Sequence, residues 1–450
     1  MSKQIYLDNA ATTQMSDAVK QAMEPYLQEN YGNASTAYSI GEDARRELEK
    51  SREVIAATLH AKTSEIYFTS GGSESDNWAV KNIAAACKKK GRHIITTNIE
   101  HHAILNSCEY LEKLGYDVTY LEVDGDGLIS PEQVMDAIRP DTTLISVMFA
   151  NNEVGTIEPI YQIGKIAREK QILFHTDAVQ AYAQIPLSVN YYPVDLLSAS
   201  AHKFHGPKGV GFLYIRDGID IPSFIHGGSQ ERGKRAGTEN VAGIVGMAKA
   251  AEIAYGNMRK RVQKEIMLRN YLIERVMHEI PDAKLNGHRS VRLPGNVNFS
   301  FKGLEGASLL ILLDEDGICA SGGSACNTGE ERISYDAFSC LPATEGRDGR
   351  LDPQSGGGAA SGRRGAGAYA VHLLPVEHSL YDAPQGGRVG AGALLPVHVL
   401  SDPASGERLH GVCGEGAEPG TRGLRSGDGG LCLRLRVQAG RHGIGSFTTD

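Results

Sequence analysis

Lys203 stands in Ser200-Ala201-His202-Lys203-Phe204-His205-Gly206-Pro207-Lys208-Gly209, directly after the largely apolar run 194–198. Upstream, the run 172–176 leads into Asp177-Ala178-Val179-Gln180. One segment closes on a lysine and the other on a carboxylate. A lysine amine can form a Schiff base with an aldehyde, and a carboxylate can hold a pyridinium proton, so the pair suits pyridoxal phosphate (PLP). A lone lysine after a strand is more often a solvated surface group. The reading therefore rests on what accompanies Lys203.

Thr69-Ser70-Gly71-Gly72-Ser73-Glu74-Ser75 joins a strand to a helix. Small residues there let backbone N–H groups approach a phosphate, and the helix dipole favours the anion. The plain alternative is a simple turn. Gly72 and Ser73 gain weight because Ser200 and His202 can reach the same phosphate. Glu100-His101-His102 follows another strand, and an imidazole there can stack on a cofactor ring and move protons. A surface histidine pair, or metal ligation with His175, His202 or His205, is the competing reading, but no local ligand spacing supports a metal. In Asn151-Asn152-Glu153-Val154-Gly155 an asparagine either bonds a ligand or caps a turn. Gln180 lies three residues past Asp177, on the same side of a helical turn, and can donate to the cofactor's phenolic oxygen. Cys326 sits among small residues in Ser321-Gly322-Gly323-Ser324-Ala325-Cys326-Asn327-Thr328-Gly329. An exposed thiol in such a loop is either an ordinary loop cysteine or a nucleophile that must travel. Cys319 reads as buried, and Cys87 and Cys108 read as packing thiols in helices.

These residues need a frame. Seven short apolar strands, at 65–70, 93–98, 117–123, 143–150, 172–176, 195–199 and 209–215, alternate with helical stretches at 75–89, 103–114, 131–138 and 160–169. That alternation predicts an α/β fold with a mostly parallel sheet, whose ligands bind beyond the carboxyl ends of the strands. A charged amphipathic helix is expected at 39–59, a long helical stretch at 242–280, and a strand at 293–301 followed by a helix at 308–316. No internal repeat is visible.

The chain has 450 residues, 41% of them hydrophobic and 22% charged, enough for two or three domains. Its formal net charge of −8 argues against a dedicated nucleic-acid binder. No apolar run is long enough to span a bilayer, and the first residues lack the apolar core of a secretory signal, so a cytoplasmic location is expected. Seven scattered cysteines without a Cys-x-x-Cys pair read mostly as free thiols. The last quarter differs. No lysine follows Lys302, no asparagine follows Asn327, and the only isoleucine after Ile333 is Ile444. Gly, Arg, Ala and Pro take over. A flexible Gly-rich extension is one reading of 335–450. A reading frame shifted through GC-rich DNA explains the enrichment and the depletion together, and is the reading favoured.

As a set, Leu7–Thr13, Thr69–Asn77, Glu100-His101, Asn151–Gly155, Asp177–Gln180, Ser200–Gly209, Gly227–Arg232, Arg235–Thr238 and Ser324-Ala325-Cys326 resemble the cysteine desulfurases of the NifS/IscS type, among the fold-type I PLP-dependent class-V aminotransferases. The resemblance runs from about Tyr6 to Ser334. It implies a large PLP-binding domain at 15–258 around a mostly parallel seven-stranded sheet, a smaller α+β domain from 1–14 and 259–334, and an atypical tail beyond. It implies that Lys203 carries the cofactor and acts as acid/base, that Asp177 pairs with the pyridine nitrogen, that His101 stacks on the ring and that Gln180 contacts its phenolic oxygen. Gly72, Ser73, Ser200 and His202 bind the phosphate, with Thr238 from a neighbouring subunit of a homodimer, and Asn152 contacts cofactor or substrate. The implied reaction converts L-cysteine to alanine, leaves a persulfide on Cys326, and passes sulfur to an iron–sulfur scaffold or tRNA-thiolation protein. A selenocysteine lyase, an aminotransferase and a PLP-binding chain with impaired catalysis are the alternatives. The family's carboxylate-binding arginine, in a strand after the cysteine loop, has no match after Ser334.

Overall fold

A computed structural model describes residues 4–322, together with two short strands, Val397–Val399 and Leu433–Leu435, that pair in parallel. Cys326 and the remainder of the Gly/Arg-rich tail lie outside the described residues. The central sheet uses β2 (Ile66–Thr69), β3 (His93–Thr97), β4 (Asp117–Leu121), β5 (Thr142–Ser146), β6 (Leu173–Asp177), β7 (Leu196–Ser200) and β8 (Gly211–Ile215), after a two-residue β1 (Ile5–Tyr6). Its order is β2-β8-β7-β6-β5-β3-β4. β8 runs antiparallel to both neighbours and the other pairings are parallel, so six strands point the same way. All seven expected strands are present, mostly within one or two residues of their expected starts.

Alternate side chains enter two separate cores, which is why the central strands read as unbroken apolar runs. Ile95, Ile145, Leu197, Phe212 and Tyr214 join one cluster. Ile94, Leu144, Leu196 and Leu213 join the other, with Trp78, Ile83, Ile104 and Cys108. The helices are α1 (Asp17–Met23), α2 (Pro25–Gln28), α3 (Ser39–Leu59), α4 (Gly72–Cys87), α5 (His102–Glu112), α6 (Pro131–Ala137), α7 (Ile160–Glu169), α8 (Val241–Gly256), α9 (Met258–Glu279) and α10 (Gly306–Glu315). α3 buries Ala44, Leu48, Ser51, Arg52, Ile55 and Leu59, a spacing of three and four that forms one stripe. It ends where His60 turns left-handed at φ 55°. α6 starts from a capping box, with Ser130 bonding the Gln133 N–H and Gln133 reaching back.

A buried ion pair ties a later loop to the sheet edge. Both Arg52 Nη atoms reach the Glu231 carboxylate, at 2.7 and 2.9 Å, and Glu231 Oε2 also accepts from the Phe68 N–H at 2.9 Å. Arg52 further donates to the Ile66 carbonyl and lies over the Phe68 ring. Every charged atom of the pair is thereby bonded, which is what makes a buried pair tolerable.

Smaller units flank the sheet. β9 (Ala283–Leu285) and β10 (Phe299–Phe301) pair antiparallel and pack with Ile273 and Val276 of α9. β11 (Ile318–Cys319) pairs in parallel with β1 and packs with Leu309 and Leu313 of α10. Three expectations need correction here. The stretch 242–280 is two helices, broken at Asn257 (φ −113°, ψ 5°), where Gly256-Asn257 joins two poor helix formers. The strand expected over 293–301 is only Phe299–Phe301. Its first half is spent on another loop: Leu293 N–H donates to the Gly155 carbonyl, and Asn296 and Asn298 side chains donate to the Glu153 carbonyl. Pro294 has no N–H to offer a ladder. Cys319 is half-buried rather than buried, because β11 belongs to a two-stranded pair where its Sγ takes a bond from Gln4.

Candidate active site

The same-direction strands end on one side of the sheet, and a cavity of about 530 Å³ opens beyond their carboxyl ends. Strand β7 leads through a short 3-10 turn, Ala201–Lys203, that carries Lys203 into this cavity. Lys203 Nζ donates to the carbonyls of Ala10 and Ala11, at 2.6 and 2.9 Å. That N-terminal loop is itself tied down: Thr13 bonds the His202 carbonyl with both N–H and Oγ1, and Thr12 Oγ1 meets His202 Nδ1 at 3.1 Å.

Asp177 closes β6 and is 5% exposed. Burial pushes its carboxyl up to about 6, while the Val179 N–H at 2.8 Å and the Lys203 charge pull it down. Asp76, which also lines the cavity, is buried, with its Oδ1 3.7 Å from His175 Nε2. Burial first, and the Asp177 charge second, hold Asp76 well above the usual carboxylate range. His175 supports this floor from β6, with Nδ1 2.9 Å from Ser146 Oγ and Nε2 3.0 Å from Ser198 Oγ. Burial pushes it down to about 3, so it is neutral.

His101 caps α5, and its Nδ1 accepts the Ala103 N–H at 3.1 Å, which leaves its proton on Nε2. Burial, then the charges of Lys203 and His102, push it down to about 4. His202 falls to about 4 for the same reason, with Lys203 and Lys208 as its charged neighbours. Gln180 Nε2 donates to the Ala10 carbonyl at 2.9 Å. The two asparagines divide the roles left open by the sequence. Asn151 is the buried turn-former, accepting from the Glu153 and Val154 N–H groups and donating to the Ile99 carbonyl. Asn152 lines the cavity.

The start of α4 forms one end of the cavity. Gly71 has φ 149°, a backbone conformation that side chains rarely adopt, and makes no side-chain cap on the helix. A Cβ on Gly72 would lie 2.6 Å from Val179 Cγ2. Gly71, Gly72, Ser73, Ser200 and His202 line one end of the cavity, so uncapped helix N–H groups, two hydroxyls and an imidazole face the same space. An anionic group fits this end, a pyridinium fits Asp177, and an aldehyde fits Lys203. These residues suit PLP.

Of the expected site residues, Gly72, Ser73, His101, Asn152, Asp177, Gln180, Ser200, His202 and Lys203 converge on this cavity. Thr238 does not line it and is exposed. Cys326 lies outside the described residues. Sequence reasoning passed over Ala10, Ala11, Glu74, Asp76, Glu153 and Lys208, which line it too. Asp76 was findable, since it stands one helical turn after Gly72. Glu153, pushed up to about 8 by burial, carried no separate signal. Among the described residues no group of three or more His, Cys, Asp or Glu is arranged to hold a metal.

Comparison with known proteins agrees with this geometry. The family described as Aminotransferase class-V matches residues 5–338. Cysteine desulfurase IscS of Dictyoglomus turgidum is 54% identical over 335 residues, 74% of this chain and 85% of that protein. Cysteine desulfurase IscS of Methanosarcina thermophila is 52% identical over 339 residues, 75% and 84% of the two chains. Among solved structures, a NifS-like protein superposes with a TM-score of 0.73 at 38% identity, covering 83% of this chain and 94% of its own. SspA in complex with cysteine does so at 0.67 and 34%, covering 84% and 100%. The chain belongs to the PLP-dependent class-V aminotransferase family, and within it to the cysteine desulfurases of the NifS/IscS type.

Proposed function

We propose that this chain takes sulfur from L-cysteine, releasing L-alanine and leaving a persulfide on Cys326. The observation that carries this reading is the convergence of Lys203, Asp177 and the α4 cradle on one cavity. Gly72, Ser73, Ser200 and His202 would hold the phosphate, Asp177 the pyridine nitrogen, His101 the ring face and Gln180 the phenolic oxygen. When bound, PLP supplies an electron sink that stabilises negative charge at the substrate Cα.

The chain's own residues supply the rest. Lys203 Nζ would hold the cofactor's aldehyde carbon and would move the proton at the substrate Cα. Neutral His101 offers Nε2–H without adding a cation to the cavity. Asn152 orients the substrate. The Cys326 thiolate attacks the substrate sulfur: its S–S bond forms as the substrate C–S bond breaks, and the carbon product takes up a proton to become alanine. The sum, cysteine plus thiol giving alanine plus persulfide, needs no outside oxidant. The Cys326 persulfide then hands its outer sulfur to an acceptor, an iron–sulfur scaffold or a tRNA-thiolation protein.

A homodimer is part of this proposal. Thr238, exposed and outside its own cavity, suits a residue that serves a neighbouring subunit. So is the division into a large domain at 15–258 and a small domain from 1–14 and 259–334. Among the described residues no helix is long and apolar enough to cross a membrane. The cytoplasm is the proposed location, where reducing conditions keep Cys326 a thiol. One observation favours a second reading, a PLP-binding chain with impaired turnover: the cations among the described cavity-lining residues are Lys203 and Lys208, with no arginine to clamp a substrate carboxylate.

The visible spectrum of the purified chain with PLP tests both. A protein-bound band that shifts on adding L-cysteine is expected. A bound band that cysteine leaves unchanged supports the second reading, and no bound band overturns the site.

A further inference from the structure

The cradle for an anion has an acid in it. Glu74 stands in the first turn of α4, lines the cavity, and its side chain is 9% exposed. Arg235 grips it with two parallel bonds, Nε to Oε1 at 2.8 Å and Nη2 to Oε2 at 3.0 Å. The Ser70 N–H donates to Oε2 as well, at 2.8 Å. Burial alone would raise the Glu74 carboxyl, but the bonds from Arg235 and Ser70 outweigh it and hold the group below its ordinary value. Glu74 is therefore an anion, in the helix turn that would meet a phosphate. A carboxylate at a helix N-terminus is favourable by itself, but it repels a second anion at the same place.

We propose that Arg235 is the positioning residue that lets this cradle accept a phosphate, by cancelling the Glu74 charge and fixing its direction. The inference rests on the reading of the cavity as the PLP site. Arg235 is well placed for the task. Its own segment is fixed by the Ala236 N–H bond to the Ile225 carbonyl and by Gly237 N–H bonding Gln230 Oε1 at 3.1 Å. Glu231, four residues before it, is locked to Arg52. Glu231 and Glu239 add further negative field at Arg235, but Glu74 is its bonded partner and its strongest influence. A bidentate guanidinium fixes both oxygens, which a lysine ammonium cannot do.

The test compares PLP with pyridoxal, which has the same aldehyde and ring but no phosphate. Equilibrium dissociation constants of the full chain are measured for both, in wild type, Arg235→Ala, Arg235→Lys, Glu74→Gln and the Arg235→Ala/Glu74→Gln double variant. Arg235→Ala is expected to weaken PLP by about tenfold, while pyridoxal stays within about twofold. Adding Glu74→Gln to Arg235→Ala is expected to restore most of the PLP affinity, because the uncancelled charge is gone. Arg235→Lys, which keeps the charge but not the two-point grip, is expected to fall between wild type and Arg235→Ala. Should Arg235→Ala not fold, Glu74→Gln alone decides: PLP binding unchanged or tighter supports the inference, and weaker binding overturns it. Equal loss for both ligands, no loss for PLP, or no recovery in the double variant also overturns it. A wild-type chain that takes up neither ligand overturns the cavity reading, and this inference with it.

Discussion

Lys203→Ala is expected to stop turnover and to release the cofactor from covalent attachment. Lys203 Nζ is the amine in the cavity that the Ala10 and Ala11 carbonyls hold next to Asp177 and His101. Two functions vanish together, the link to the aldehyde and the proton carrier at Cα. Loss of the proton transfer alone is on the order of 10²–10⁴-fold. The check is to reduce the loaded protein with borohydride and look for PLP mass on the chain. Wild type is expected to carry it at Lys203 and the variant nowhere. The cradle of Gly72, Ser73, Ser200 and His202 stays intact in the variant, so it still binds PLP non-covalently. A variant that retains reducible PLP would place the attachment elsewhere.

Cys326→Ala is expected to separate cofactor loading from sulfur transfer. None of the described cavity-lining residues is altered, so PLP binding and the spectral response to cysteine are expected to stay near wild type. Alanine formation falls by about 10³-fold or more, the scale expected when a nucleophile is removed. Alkylation of the protein after a cysteine pulse, followed by mass spectrometry of the peptide around residue 326, is the readout. The expected result is one extra sulfur on wild type and none on the variant. Alanine formation unchanged in Cys326→Ala would remove this thiol from the reaction and favour the lyase or aminotransferase reading.

Much of this was legible because the central strands are buried on both faces. Their apolar runs, such as His93–Thr97 and Leu196–Ser200, have no other compact explanation, and a ligand site beyond their ends follows from the topology. Residues that end a strand on a polar side chain, like Asp177, announce themselves. What the sequence hid depends on pairing across long separations. Arg235 and Glu74 are 161 residues apart, and Arg52 and Glu231 are 179 apart, so neither pair leaves a local pattern. The carbonyls of Ala10 and Ala11 are invisible for another reason: every residue carries one, and only the fold aims two at Lys203. The stretch 293–301 misled because its apolar and asparagine residues look strand-like. Its asparagines instead hold the Glu153 carbonyl and so brace the loop that bears Asn152.

The family match ends at residue 338, and the site elements described above all precede it. The match therefore takes in the described cavity-lining residues and Cys326 alike, while the carboxylate-binding arginine that the resemblance implies has no counterpart after Ser334.

The most direct measurement is product balance. The full chain, loaded with PLP, is given L-cysteine and a dithiol that strips the persulfide, and alanine and sulfide are quantified over time. The account predicts equal amounts of both, continuing beyond one equivalent per chain and dependent on Lys203 and Cys326. Alanine no faster than with PLP alone would contradict the claim that this chain is a working desulfurase.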